Sequence, residues 1–263
     1  MKNTPLFYKS LALACALSCL SLSAFAITPE QAQEKLNEAQ LLRNSDPSQA
    51  TDIFEQLTND TTLINQPQII QEALESLAFM NVSNGDYDQA LSYAEQLLDY
   101  GQTQSNQAVT VRAMLIQGYA QGRKSNFLTA EQHYRDALSI AKQIQDSMLI
   151  AQSYERLAAI LRWQDKYIAA LSEAQKAVNI LREFDDEKSY ASALQNLGII
   201  EAIIGDHNAA LANLTLSFSL HQKLDDKKGI ADALYEIGEV YRRMGDNAQS
   251  LKHFKMSHVL DLE

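Results

Sequence analysis

The side chains best suited to chemistry in this sequence are cations and aromatics on predicted helices: Arg112, Tyr119 and Arg123, then Arg162 and Trp163, then Tyr235, Arg242 and Arg243. A guanidinium pairs with two carboxylate oxygens at once, and Tyr and Trp supply rigid contact area. Such a set suits the holding of an acidic group rather than the breaking of a bond. Signatures of bond-breaking are missing: there is no His-Glu-x-x-His, no Gly-x-Ser-x-Gly and no Gly-rich loop that would cradle a phosphate. His253 and His258 lie five apart on one predicted helix, which does not stack them on one face. The pairs Asp185-Asp186 and Asp225-Asp226 fall at predicted turns, where helix capping accounts for them. The expectation is therefore no enzyme, no metal and no cofactor.

The elements that position these residues are helices. Nine Gly and four Pro are few for a chain of 263 residues rich in Ala, Leu, Gln and Glu, the residues that lose least on entering a helix. Self-comparison shows one fixed period of 40. Gly85-Asp86-Tyr87, Ser125-Asn126-Phe127, Asp165-Lys166-Tyr167, Gly205-Asp206-His207 and Gly245-Asp246-Asn247 are copies of one turn, and Ser45-Asp46-Pro47 fits the same grid. A small residue follows five positions on, at Ala50, Ala90, Ala130, Ala170, Ala210 and Ser250, and four further stand Phe54, Ala94, Tyr134, Ala174, Leu214 and Phe254. Upstream of each turn another small residue recurs, at Ala78, Gly118, Ala158, Gly198 and Gly238.

Small residues let two helix backbones approach, and bulky ones at steps of three and four fill the groove between them. Each period therefore predicts a helical hairpin. Its first helix ends near Gly205 or an equivalent, where Gly takes the left-handed conformation, and Asp86, Asp206 or Asp246 caps the second. A further turn joins successive hairpins at Gln145-Asp146-Ser147, Asp185-Asp186-Glu187 and Asp225-Asp226-Lys227, its acids placed to cap the next first helix. Thr28-Pro29-Glu30-Gln31 offers a capped start, and no linker or low-complexity stretch follows residue 27.

This pattern resembles the tetratricopeptide repeat, carried best by Gly238, Tyr241, Gly245, Asp246, Ser250, Phe254 and Ser257, over roughly residues 30–263. The usual period of that repeat is shorter, so each helix pair here is lengthened, as in the longer repeats of bacterial regulators and sensors. The resemblance implies an all-α fold, a right-handed α-solenoid of about six helical hairpins with turns near 45, 85, 125, 165, 205 and 245. Solenoids of this kind present a concave face built from the first helices. Helical phase places Arg112, Tyr119, Arg123, Glu155, Arg162, Trp163, Gln195, Tyr235, Glu239 and Arg242 there. These are the candidate partner-binding residues, and the partner expected is a protein or peptide bearing acidic groups. Similar exported arrays form the input halves of membrane-bound diguanylate cyclases and histidine kinases, so the alternative reading is the periplasmic sensor portion of such a protein.

Residues 1–26 stand apart. Lys2 and Lys9 precede an apolar run from Leu11 to Leu22, and Ala24-Phe25-Ala26 supplies a small-residue cleavage site, as in a secretory signal. The run falls short of the roughly 20 residues that span a bilayer. Cys15 and Cys19 both lie inside it, and Ala16-Leu17-Ser18 before Cys19 is a poor match to a lipoprotein signal. The expectation is a thiol-free, periplasmic domain over residues 27–263. Net charge is −11, and loss of two lysines with the signal leaves −13, which repels nucleic acid and anionic membrane surfaces. At the other end, Leu251, Phe254, Met256 and Leu260 are expected to line an uncapped apolar edge through which the chain pairs with a second copy.

Overall fold

The computed structural model describes residues 27–60, 62–63 and 66–261. The expected export signal at 1–26 lies outside them. The described residues form twelve helices and no strand: α1 (Pro29–Leu42), α2 (Pro47–Asn59), α3 (Pro67–Asn84), α4 (Tyr87–Thr103), α5 (Gln107–Arg123), α6 (Phe127–Gln143), α7 (Ser147–Trp163), α8 (Tyr167–Leu181), α9 (Glu187–Ile204), α10 (His207–Lys223), α11 (Lys227–Met244) and α12 (Asn247–Asp261). None is long and apolar enough to cross a membrane. The chain divides into two compact units between Asn84 and Gly85.

In the first unit α1, α2 and α3 pack on one another around Leu36, Phe54, Leu57 and Leu77, all nearly inaccessible. Its start is the capping box read from the sequence. The Gln31 amide N–H donates to Thr28 Oγ1 at 3.2 Å, and the Thr28 N–H donates back to Gln31 Oε1 at 3.0 Å.

The second unit, α4 to α12, is a solenoid in which each helix packs on the next. First helices α5, α7, α9 and α11 also touch one another in turn, whereas contacts among the second helices are sparse. Closer spacing on the first-helix side curves that side inward. Asp86, Asp146, Asp186, Asp206, Asp226 and Asp246 each accept the backbone N–H three residues on, so the acids at the turns are caps, as their spacing suggested. The left-handed residue at the hairpin turn is Gly at 85, 205 and 245, but Ser125 and Asp165 hold the same conformation with φ of 64° and 58°. Ser105, Gln145 and Asp225 do so between hairpins.

Packing inside each hairpin follows a volume rule. Where the first helix has Gly, the second sends a bulky residue across: a methyl added to Gly118 would lie 2.5 Å from the Tyr134 ring, one on Gly198 2.7 Å from Leu214, and one on Gly238 2.8 Å from Phe254. Where the first helix has Ala158, the second has Ala174. Phe254 is thus half-buried on Gly238 and Tyr235 rather than standing on an exposed edge, while Leu251, Met256 and Val259 of α12 are exposed. Between hairpins the same exchange recurs, with Gly101 against Val109 and His221 against Gly229. Ser217 and Ser257, both buried, donate to the carbonyls of Ala191 and Ala231 and tie second helix to first in the last two hairpins.

Candidate functional site

The ends of α5 and α7 frame a pocket of about 330 Å³. Tyr119, Gly122 and Arg123 come from α5, and Arg156, Ala159, Ile160 and Trp163 from α7. Tyr87, at the start of α4, and Ser125, Phe127 and Tyr134, from the turn and α6, complete it. Five aromatic rings and two guanidiniums line the pocket, and no carboxylate does. Its volume lies at the small end of the range for ligand clefts.

Repeat register brings these groups together. The first residue of a second helix meets the last residue of the next first helix, 36 positions on. Tyr87 thus accepts a 3.4 Å hydrogen bond from Arg123 Nε, and Phe127 stacks on Trp163 with ring centroids 6.3 Å apart. The Arg156 guanidinium lies 5.1 Å from the centre of the Tyr119 ring and Arg162 lies 5.2 Å from that of Trp163, both at cation–π distance. Trp163 is nevertheless 62% exposed, a large ring held in place at the surface. The hydrogen bond donated to Tyr87 raises the Arg123 pKa, and burial raises that of Tyr134, so both keep their protons and act as fixed donors or cations.

Further along the same face the polarity changes. Glu155 accepts from Asn196 Nδ2 at 3.1 Å, bridging α7 and α9, and burial raises its pKa against the opposing pull of Arg156 and Asn196. Burial likewise raises Glu236, opposed by Arg162, and lowers Arg162, opposed by Glu236. Arg162 Nε is buried without a hydrogen-bond partner. A second, more open recess of about 370 Å³ lies between α11 and α12, lined by Tyr235, Glu239, Phe254, Ser257 and His258.

Of the residues chosen by helical phase, Tyr119, Arg123 and Trp163 share the first pocket, and Tyr235 and Glu239 the second. Arg162 sits over the outer ring of the first. Arg112 is exposed, and Gln195 half-buried on α9 beside the Glu155–Asn196 bridge. Arg242 is held by Glu239 through hydrogen bonds of 2.7 to 3.1 Å. Arg156 is not among the residues chosen by helical phase, and Tyr87, Phe127 and Tyr134 are legible in the sequence only as turn and packing residues of the period. The 36-residue offset between Tyr87 and Arg123, and again between Phe127 and Trp163, is the signal that would have found two of them. Among the described residues no group of three or more His, Cys, Asp or Glu is placed to hold a metal ion.

Hairpins repeated at one period, with first helices side by side and a groove along them, define a helical-repeat solenoid. Residues 149–223 match the family model of the tetratricopeptide repeat, so this stretch belongs to that family, and the hairpins on either side repeat its register. Solved structures agree in fold. BtubC (BKLC) from P. vanneervenii superposes with a TM-score of 0.64 at 18% identity, covering 89% of each chain. The Rap protein complexed with competence and sporulation factor gives 0.61 at 18% identity, over 88% of this chain and 66% of that one. The APC/C hetero-tetramer Cut9–Hcn1 gives 0.69 at 17% identity, over 93% and 43%. No curated protein matches in sequence.

Proposed function

We propose that this chain is an exported interaction scaffold whose first-helix face binds a polypeptide partner, anchored in the pocket between α5 and α7. The carrying observation is the composition of that pocket: five aromatic rings, two guanidiniums and no carboxylate, in a chain of net charge −11. Against so acidic a background a carboxylate-free basic pocket is a local reversal, and it favours an acidic ligand. Tetratricopeptide arrays are in general non-catalytic scaffolds. The Rap protein and Cut9 were each solved with a bound partner, which supports the same use of the fold here.

Selection of displayed random peptides against the protein tests this reading. Enriched peptides should carry Asp or Glu, and Tyr119→Ala or Arg156→Gln should weaken them about tenfold or more with helicity unchanged, the scale of an interface anchor. Peptides whose affinity ignored both substitutions would refute it. Export is proposed from the signal-like residues 1–26, and an intact mass from the periplasm should correspond to a chain starting at Ile27. Self-association through α12 is supported by exposed Leu251, Met256 and Val259, and light scattering over a concentration series should show a mass that falls with Val259→Lys.

A further inference from the structure

Phe127 and Trp163 of the anchoring pocket lie at the edge of the solenoid formed by the hairpin turns, and on this edge large apolar side chains stand in water. Leu128 is 76% exposed and Ile168 74%, while Ile204 is 39% exposed and Trp163 62%. Each belongs to a hairpin turn or its flanking helix end: Leu128 and Ile168 are the second residues of α6 and α8, Trp163 closes α7 and Ile204 closes α9.

Register shows that this patch departs from the repeat's own solution for these positions. Lys124 pairs with Asp88 across neighbouring hairpins, 36 residues apart. Two hairpins on, the same two positions hold Ile204 and Ile168. In the hairpin between them Leu128 stands opposite Gln164, whose amide is turned away to the Phe127 carbonyl and the Glu131 carboxylate. An edge that takes an ion pair where it only needs solubility has thus been given isoleucines just beyond Trp163. A handful of exposed large apolar residues at successive repeats of an acidic protein marks a contact surface rather than scatter.

From these observations we infer that the partner segment leaves the groove at Trp163 and crosses the turn edge, with an acidic residue held by Arg123 and Arg156 and an apolar stretch laid over Leu128, Ile168 and Ile204. The occupant is an acidic–apolar segment of a partner polypeptide. Charge selects its first half, since the pocket holds two cations and no acid. The second half is selected by continuity, since Phe127 and Trp163 belong to both the pocket and the rim. Trp163 is the hinge between the two, stacked on Phe127 from one side and on Arg162 by a cation–π contact. The inference rests on the proposed groove reading, because the acidic half needs the pocket.

Trp163 is the single tryptophan of the chain, so its emission reports this place alone. Three short acetylated and amidated peptides serve as probes: one with an Asp-Phe pair followed by a run of Leu and Ile, one with the same pair followed by Ser and Thr, and one with Asn-Phe before the Leu/Ile run. The first should change the emission saturably. Both others should bind about tenfold more weakly, and Ile168→Ser with Leu128→Ser should reduce the first peptide to the level of the second. Both substitutions are at exposed side chains, and circular dichroism checks that helicity is retained. If the first two peptides bound alike and the rim substitutions changed nothing, the edge route would be overturned while the groove reading stood. Failure of all three to bind would overturn both.

Discussion

Glu131 lies under the turn that carries Trp163, and its replacement by Gln should destabilise the fold in a pH-dependent way. Its carboxylate, 12% exposed, accepts from Lys166 Nζ at 3.0 Å and Gln164 Nε2 at 2.9 Å through one oxygen, and from Arg135 at 2.6 and 2.9 Å through the other. Burial alone would raise its pKa, but the hydrogen bonds from Lys166, Arg135 and Gln164 outweigh it and bring the value down from 4.5 to about 2. At about 1.4 kcal/mol per pH unit that drop corresponds to at most about 3.5 kcal/mol, and since Arg135 and Lys166 are roughly half exposed, solvent screening reduces it to about 1–2 kcal/mol. A folded pKa below the unfolded one gives stability that is fully present above about pH 4.5 and is lost as pH falls towards 2. Urea denaturation of the parent and Glu131→Gln, followed by circular dichroism, should therefore differ by about 1–2 kcal/mol at pH 7 and converge towards pH 2, with a smaller gap in high salt. A gap independent of pH between 7 and 2 would refute the assignment of ionic stabilisation to Glu131.

Glu201 should behave in the opposite sense: it is buried, receives only Asn213 Nδ2 at 2.7 Å, and burial raises its pKa, so stability declines as pH rises above about 4.5. Glu201→Gln should flatten that decline and raise stability at pH 8 relative to the parent, measured by urea denaturation at pH 4 and 8. Ala174→Leu should overpack its hairpin and cost about 1–3 kcal/mol, and Ala158→Gly in the same chain should recover most of it, a non-additivity that thermal denaturation of the cycle reads out. Gln145→Gly, at a left-handed residue with φ 57°, should stabilise by about 0.5–1 kcal/mol, and an unchanged or lowered melting temperature would count against strain there.

Periodicity made the hairpins legible because it is imposed by packing. Every small residue at the 118, 158, 198 and 238 positions faces a partner 16 residues on, and both ends of that contact are in the sequence. Caps were legible for the same reason: an Asp two residues after the left-handed turn residue's predecessor acts on a backbone N–H three residues away, a local event. Two features were not. Nothing local says that Ser125 or Gln145 can take the place of glycine, because the surrounding hairpin holds the strained residue in place. Nor does helical phase on the first helices reveal Arg156, whose position elsewhere in the array holds Ile116, Asn196 and Glu236. Arg156 reaches the pocket because it turns onto the Tyr119 ring of the preceding first helix, a side-chain choice made only after the two helices have met.

Positions that repeat and positions that differ do separate jobs in this chain. The residues fixed by the period are those whose volumes must sum correctly, so Gly238 goes with Phe254 and Ala158 with Ala174, and any ligand-binding demand on them would break the stack. The pocket lies where the register is kept but its occupant changes. The 36-residue pair is Tyr87 with Arg123, then Phe127 with Trp163, then Tyr167 with Ile203, and the pair beside it runs from Asp88 with Lys124 to Ile168 with Ile204. Such positions touch only two hairpins and are partly in water, so exchanging one of them leaves the core intact. In this construction the turn edge and the adjoining ends of the first helices can therefore vary without loss of the fold, and between Tyr87 and Ile204 they carry aromatic, basic and apolar occupants in turn.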